Sequence, residues 1–143
     1  MTGMGASQDP ELLERVKRFE GYRRHAYRCS LGHLTIGYGT MIEEGGHGVP
    51  AFIAELLLRD YLQTIETRLK AHDWFGELST PRQYCILEMA YQMGVEGVLG
   101  FENMIEALKR GDWIQAEAEA LDSLWAKQTP ARARDVAERL RLG

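Results

Sequence analysis

Three side chains with chemistry to offer lie close together in the sequence. Eight residues separate Glu20 from Cys29, and five separate Cys29 from Thr35. Glu20 closes a stretch whose apolar positions, Leu12, Leu13, Val16 and Phe19, fall at helical spacing. The C-terminal end of a helix carries partial negative charge, which disfavours an ionised carboxylate. A carboxyl group that keeps its proton near neutral pH is what a general acid needs to protonate a leaving oxygen, as in glycoside cleavage. On position alone the plainer reading, a solvated carboxylate without a role, stands ahead. Cys29 offers a base or nucleophile only as its thiolate. Thr35 opens the run Thr35-Ile36-Gly37-Tyr38-Gly39-Thr40. Glycines within a strand-like run, here Gly37 and Gly39, mark either the close approach of a backbone or ligand, or a kinked strand at an edge.

The elements that must position these residues are legible from punctuation. All four prolines fall where a helix would begin, the position at which a missing N–H costs nothing and φ is preset. Asp9-Pro10 opens the helix that ends at Glu20, with Gly21 expected as a left-handed cap. Tyr27–Arg28 and Leu34–Tyr38 are expected strands, joined by a turn over Ser30–His33. Gly45, Gly46 and Gly48 form a loose connection. Pro50 opens a pattern with Ile53, Leu57, Tyr61, Ile65 and Leu69 at every fourth position, running to about Ala71. Such a helix is about 30 Å long, enough to bridge two lobes. Thr80-Pro81 opens a helix apolar on most sides, from Tyr84 to Met93, with Gly94 as its stop. Helices over Met104–Arg110, Asp112–Leu121 and Pro130–Leu140 complete an α+β chain, mostly helical.

The whole chain sets outer limits. Its 143 residues form one domain, of a size that folds without disulfides or metals. Within it the expected lobes are a small β-containing part over 21–58 and a helical part made of 9–20 with 59–143. Two cysteines make no disulfide framework. Cys85, amid apolar residues, is expected in the core. The net charge of −4 argues against a dedicated nucleic-acid binder. His25, His33, His47 and His72 have no metal-ligand spacing, so neither metal nor cofactor is expected. The small polar segment 1–8 has no signal-peptide pattern, and no apolar run reaches the roughly 20 residues of a membrane span.

Taken together, Glu20, Cys29 and Thr35 with the following Ile-Gly-Tyr-Gly resemble the phage lysozyme family, the muramidase endolysins of tailed phages, whose triad is Glu, eight residues, Asp or Cys, five residues, Thr. Tyr91-Gln92-Met93-Gly94 with Gly97 to Phe101 resembles the family's helix end and glycine turn. Trp125-Ala126-Lys127-Gln128-Thr129-Pro130-Ala131-Arg132-Ala133 resembles its Trp-x-x-Gln-Thr-Pro-x-Arg-Ala signature. Three blocks in order, over about residues 12–140, make the signal specific. The resemblance implies a lysozyme-like fold, with a small N-terminal β-hairpin lobe and a helical C-terminal lobe joined by a long helix. It implies hydrolysis of the β-1,4 bond between N-acetylmuramic acid and N-acetylglucosamine in peptidoglycan. Glu20 would be the acid, with Cys29 and Thr35 completing a Glu-Cys-Thr triad. Gly37, Gly39, Gln92, Phe101, Asn103 and Arg132 would bind substrate, with Arg132 reaching Glu20. For Trp125 core packing is the stronger reading. The biological context implied is a monomeric endolysin, held in the host cytoplasm, released by a separate holin-type pore protein and acting on the cell wall to lyse the host. A secreted effector or tail-associated lysozyme would use the same chemistry, and an inactive glycan-binding module is the reading from another class. Better-known members carry Asp where this chain has Cys29, which leaves open whether Cys29 is base, nucleophile or structural.

Overall fold

The computed structural model describes residues 5–143. Among them are a single 3-10 turn, Ala6–Gln8, eight α-helices and three short strands. Backbone contacts divide the chain into two units, 1–54 and 55–143.

In the first unit, α1 runs Pro10–Glu20. Its start follows from the sequence: Pro10 occupies the first turn, and the Asp9 carboxylate accepts the Glu11 N–H at 2.8 Å. Its end is of a different kind from the left-handed cap expected. Gly21 has φ 73° but ψ 154°, an extended conformation open essentially to glycine alone. The chain passes within two residues from α1 into β1, so the backbone must extend at once instead of curling through another helical turn. The Gly21 N–H still closes α1 by donating to the Lys17 carbonyl at 2.8 Å.

Strands β1 (Arg23–Arg28), β2 (Leu34–Gly37) and β3 (Thr40–Met41) form one antiparallel sheet in that order. Tyr27 pairs with Thr35 and Arg28 with Leu34, while Thr35 and Ile36 pair on the other side with Met41 and Thr40. β1 begins four residues earlier than expected and carries an irregularity between Arg23 and Tyr27. The polar run Arg23-Arg24-His25 has no alternation to betray it. β2 stops at Gly37, because Gly37 and Gly39, with φ of 68° and 80°, turn the chain into β3.

Helix α2 spans Ala51–Leu69, directly after Pro50, and the unit boundary falls inside it, between Ala54 and Glu55. The second unit continues with α3 (Asp73–Gly76), α4 (Thr80–Leu99), α5 (Glu102–Arg110), α6 (Trp113–Leu121), α7 (Leu124–Gln128) and α8 (Pro130–Leu142). Helical geometry breaks inside α4 at Gly94, φ 83° and ψ 161°, the stop foreseen there, although the chain resumes its helix at once. Gly111, at φ 73° and ψ 20°, is a true left-handed cap for α5.

The core belongs to this second unit. Ile65, Leu69, Phe75, Ile86, Met89, Met104, Val136 and Leu140 are buried, as is Cys85. Helix α8 packs on α4, α6 and α7. Arg82 is unexpected: it is only 9% exposed. Its guanidinium donates to the Leu140 carbonyl at 2.7 Å and the Arg141 carbonyl at 2.9 Å, and lies 3.6 Å from the Trp113 ring centre. It thereby ties the start of α4 to the otherwise open carbonyls at the end of α8.

Candidate active site

In the first unit, Glu20 lies beside the β2–β3 turn, and Cys29 and Thr35 flank the β1–β2 turn. Glu20, the last residue of α1, presses its carboxylate on the β2–β3 turn. A β-carbon built on Gly39 would lie 2.5 Å from Glu20 Oε2 and 3.0 Å from its Cδ. No residue but glycine fits there without displacing the carboxylate, so the Gly39 of the sequence motif answers to a close approach. Tyr38 holds the turn in place: Lys17 of α1 lies 5.5 Å from its ring centre, and the Tyr22 ring packs on it at 5.6 Å. By contrast, nothing lies near the position a side chain at Gly37 would take; that glycine answers to its positive φ.

Cys29 and Thr35 share a turn. The Cys29 N–H donates to the His33 carbonyl at 2.8 Å, and the Gly32 N–H to the Cys29 carbonyl at 2.8 Å. The Thr35 hydroxyl donates to the same His33 carbonyl at 2.9 Å. Thr35 is buried, 3% exposed, whereas Cys29 is half-buried. The Leu31 and His33 amides foremost lower the Cys29 thiol pKa from its ordinary value; desolvation opposes them, and the Thr35 hydroxyl adds a smaller lowering than either amide. Donors around the Cys29 sulfur favour the thiolate more than an isolated cysteine does.

In the second unit, the side chain of Gln92 is engaged by Trp125, whose indole N–H donates to Gln92 Oε1 at 2.8 Å. Trp125 is buried and meets Phe101 edge to face, ring centres 6.3 Å apart. Gln92, Phe101, Ser123, Trp125 and Gln128 line one groove of about 350 Å³. Phe101 and Asn103 line an adjoining depression with the acidic Glu102, Glu119 and Asp122. The apolar wall of Phe101 and Trp125 in the groove, beside the amide and carboxylate groups of the depression, suits a ligand with both apolar faces and hydroxyls. Arg132 stands exposed in the first turn of α8.

Sequence reasoning missed Glu43. Lying just beyond β3, it accepts the Leu34 N–H at 2.8 Å and pairs at 3.3 Å with both Arg28 and His33. Its place in Met41-Ile42-Glu43-Glu44 bears no motif; only the sheet pairing brings it to the hairpin.

Comparison with known proteins gives the chain a family. Residues 17–139 match the family model described as phage lysozyme. The chain is 32% identical to the pre-baseplate central spike protein Gp5 of Enterobacteria phage T4, over 85% of the chain and 26% of that protein. It is 26% identical to probable T4-type lysozyme 1 of Dictyostelium discoideum, over 87% of the chain and 90% of that protein. Likeness to the peptidoglycan hydrolase gp36 of Pseudomonas phage phiKMV is 27%, over 87% of the chain but 14% of that protein. The chain therefore spans about a quarter or less of the two phage relatives, and nearly the whole of the amoebal one.

Proposed function

The chain belongs to the phage lysozyme family, and we propose on that footing that it is a muramidase, hydrolysing the β-1,4 bond between N-acetylmuramic acid and N-acetylglucosamine in peptidoglycan. The observation that carries the reading is the seat of Glu20 against Gly39, on the turn that joins the strand of Thr35 to its neighbour. In this reading Glu20 gives its proton to the glycosidic oxygen as the C1–O bond breaks and the electron pair leaves with that oxygen. Water then adds to C1 and loses a proton. Cys29, as the thiolate, supplies negative charge to the attacking water or to the oxocarbenium-like transition state. Thr35 aligns Cys29 through its hydroxyl. Gln92, Phe101 and Asn103 contact the glycan, and Gly37, Gly39 and Arg132 complete the substrate-binding set.

Among the described residues no helix is long and apolar enough to cross a membrane. The wider context we propose is a monomeric endolysin that lyses its host after release by a separate pore protein, its single domain divided into a β-containing and a helical lobe. A second reading, a lysozyme borne on a phage particle, draws on the likeness to a spike protein. Digestion of purified peptidoglycan with mass spectrometry of the fragments tests the chemistry. Reducing-end N-acetylmuramic acid is expected, and an anhydro product or intact glycan overturns the hydrolase.

A further inference from the structure

The turn that carries Cys29 is gripped from outside by one carboxylate. Glu43 Oε1 accepts the Leu34 N–H at 2.8 Å and lies 3.3 Å from Arg28 Nη1, while Oε2 lies 3.3 Å from His33 Nδ1. The same Arg28 nitrogen donates to the Gly32 carbonyl at 3.0 Å. Glu43 therefore holds residue 28 before the turn and residues 33 and 34 after it. Between these points the His33 carbonyl accepts both the Cys29 N–H and the Thr35 hydroxyl. A displacement of His33 is transmitted to both.

The turn is already closed by its own backbone hydrogen bonds, Cys29 to His33 and Gly32 to Cys29. The Ile42 N–H also donates to the Leu34 carbonyl at 2.9 Å, so the backbone already joins Leu34 to the end of β3; what these bonds leave unset is the lie of the Arg28 and His33 side chains. The Glu43 carboxylate adds a second, charge-assisted tie to Leu34 at 2.8 Å and reaches those two side chains at 3.3 Å.

We infer that Glu43 is a positioning residue of the site, setting the spacing of Cys29 and Thr35 through the His33 carbonyl. The inference rests on the reading of Cys29 and Thr35 as site residues. Glu43 itself touches no reacting atom. The Leu34 amide foremost, then the His33 ring and Arg28, hold its carboxyl below the usual range, so it stays an anionic acceptor across the working range of pH.

Three measurements test this. In Glu43→Ala, kcat on peptidoglycan is expected to fall about tenfold with KM within about twofold, because small misplacements at a reacting centre are costly. The pH profile of Cys29 alkylation is expected to move upward in the same variant. Glu43→Gln, which keeps an oxygen for the Leu34 N–H, is expected to recover most of both. In the unaltered protein, NMR titration is expected to move the Leu34, Cys29 and Thr35 signals together with the Glu43 carboxyl. A folded Glu43→Ala with unchanged kcat and alkylation profile overturns the inference. Stationary Cys29 and Thr35 signals through the Glu43 titration overturn it too, and that arm stands even if Glu43→Ala fails to fold. If the unaltered protein leaves peptidoglycan intact, the proposed function falls, while alkylation and NMR still decide the role of Glu43.

Discussion

Glu20 Oε2 occupies the space that a side chain on Gly39 would need, 2.5 Å from the position of its β-carbon. The residue that ends α1 and the residue that precedes β3 thus meet, and a side chain at position 39 displaces the Glu20 carboxyl from its place.

Gly39→Ala is expected to lower kcat at least ~10-fold by pushing the Glu20 carboxyl off its seat. It is also expected to cost about 1–2 kcal/mol of stability for a β-carbon at positive φ. Gly48→Ala is the matched control: Gly48 also has positive φ, 68°, but has nothing within 4 Å of the added carbon. Its stability loss should be similar and its kcat unchanged. Equal kcat losses in the two variants, measured on peptidoglycan beside thermal melts, would remove the steric explanation.

Glu20→Gln is expected to abolish lysis, by ~10²-fold or more, since an amide has no proton to give. The exposed helix-end position tolerates the amide, so circular dichroism and melting temperature should stay close to those of the unaltered protein. Lysis at the original rate would refute the acid assignment.

The two thiols are expected to part company under an alkylating reagent. Amide and hydroxyl donors lower the Cys29 pKa, so its thiolate forms at lower pH and its reaction profile should have a midpoint below that of the same cysteine in the unfolded chain. Cys85 is fully buried and burial raises its pKa, so it should stay unmodified in the folded protein. Modification of Cys29 should inactivate the enzyme, and bound glycan should protect it. Cys29→Asp should retain activity without reagent sensitivity, whereas Cys29→Ser, which does not ionise near neutral pH, should be at least ~10-fold slower. Full activity in both Cys29→Ala and Cys29→Ser would take Cys29 out of the catalytic set.

Arg82→Ala is expected to cost roughly 2–3 kcal/mol, from two lost charge-assisted hydrogen bonds and buried carbonyls left without a donor. Arg82→Lys should recover little, because an ammonium cannot both reach two carbonyls and stack on Trp113. Chemical denaturation of both variants checks this; a loss below about 0.5 kcal/mol in Arg82→Ala would show the contacts to be incidental.

How far the sequence disclosed all this depended on the range of each interaction. Pro10, Pro81 and Pro130 stand in the first turn of their helices, and Pro50 directly precedes α2, because the preference that puts proline there is local. Gly94 interrupts α4 for an equally local reason. Gly21 kept its positive φ but not the expected ψ, since ψ answers to the strand that follows. Helix α3, four residues long, is too short to have a period. Arg82 finds its partners 58 and 59 residues away, and Glu43 reaches Leu34 only through the sheet. At the site, the spacing of Glu20, Cys29 and Thr35 was visible as a motif, but the partner that fills each side chain's hydrogen bonds was not.

Among the described residues, every buried apolar side chain lies at Ile65 or beyond, and Thr35 is the single buried residue before it. Within its own unit, the segment bearing Glu20, Cys29 and Thr35 is therefore held by turns, sheet hydrogen bonds and stacked rings. Local opening is easiest where few apolar contacts must be broken. Amide protons of β1 to β3 should exchange with solvent through small fluctuations, long before those of α4 and α8, which exchange only as the helical core comes apart. The proposed site residues thus belong to a unit whose own opening breaks few apolar contacts.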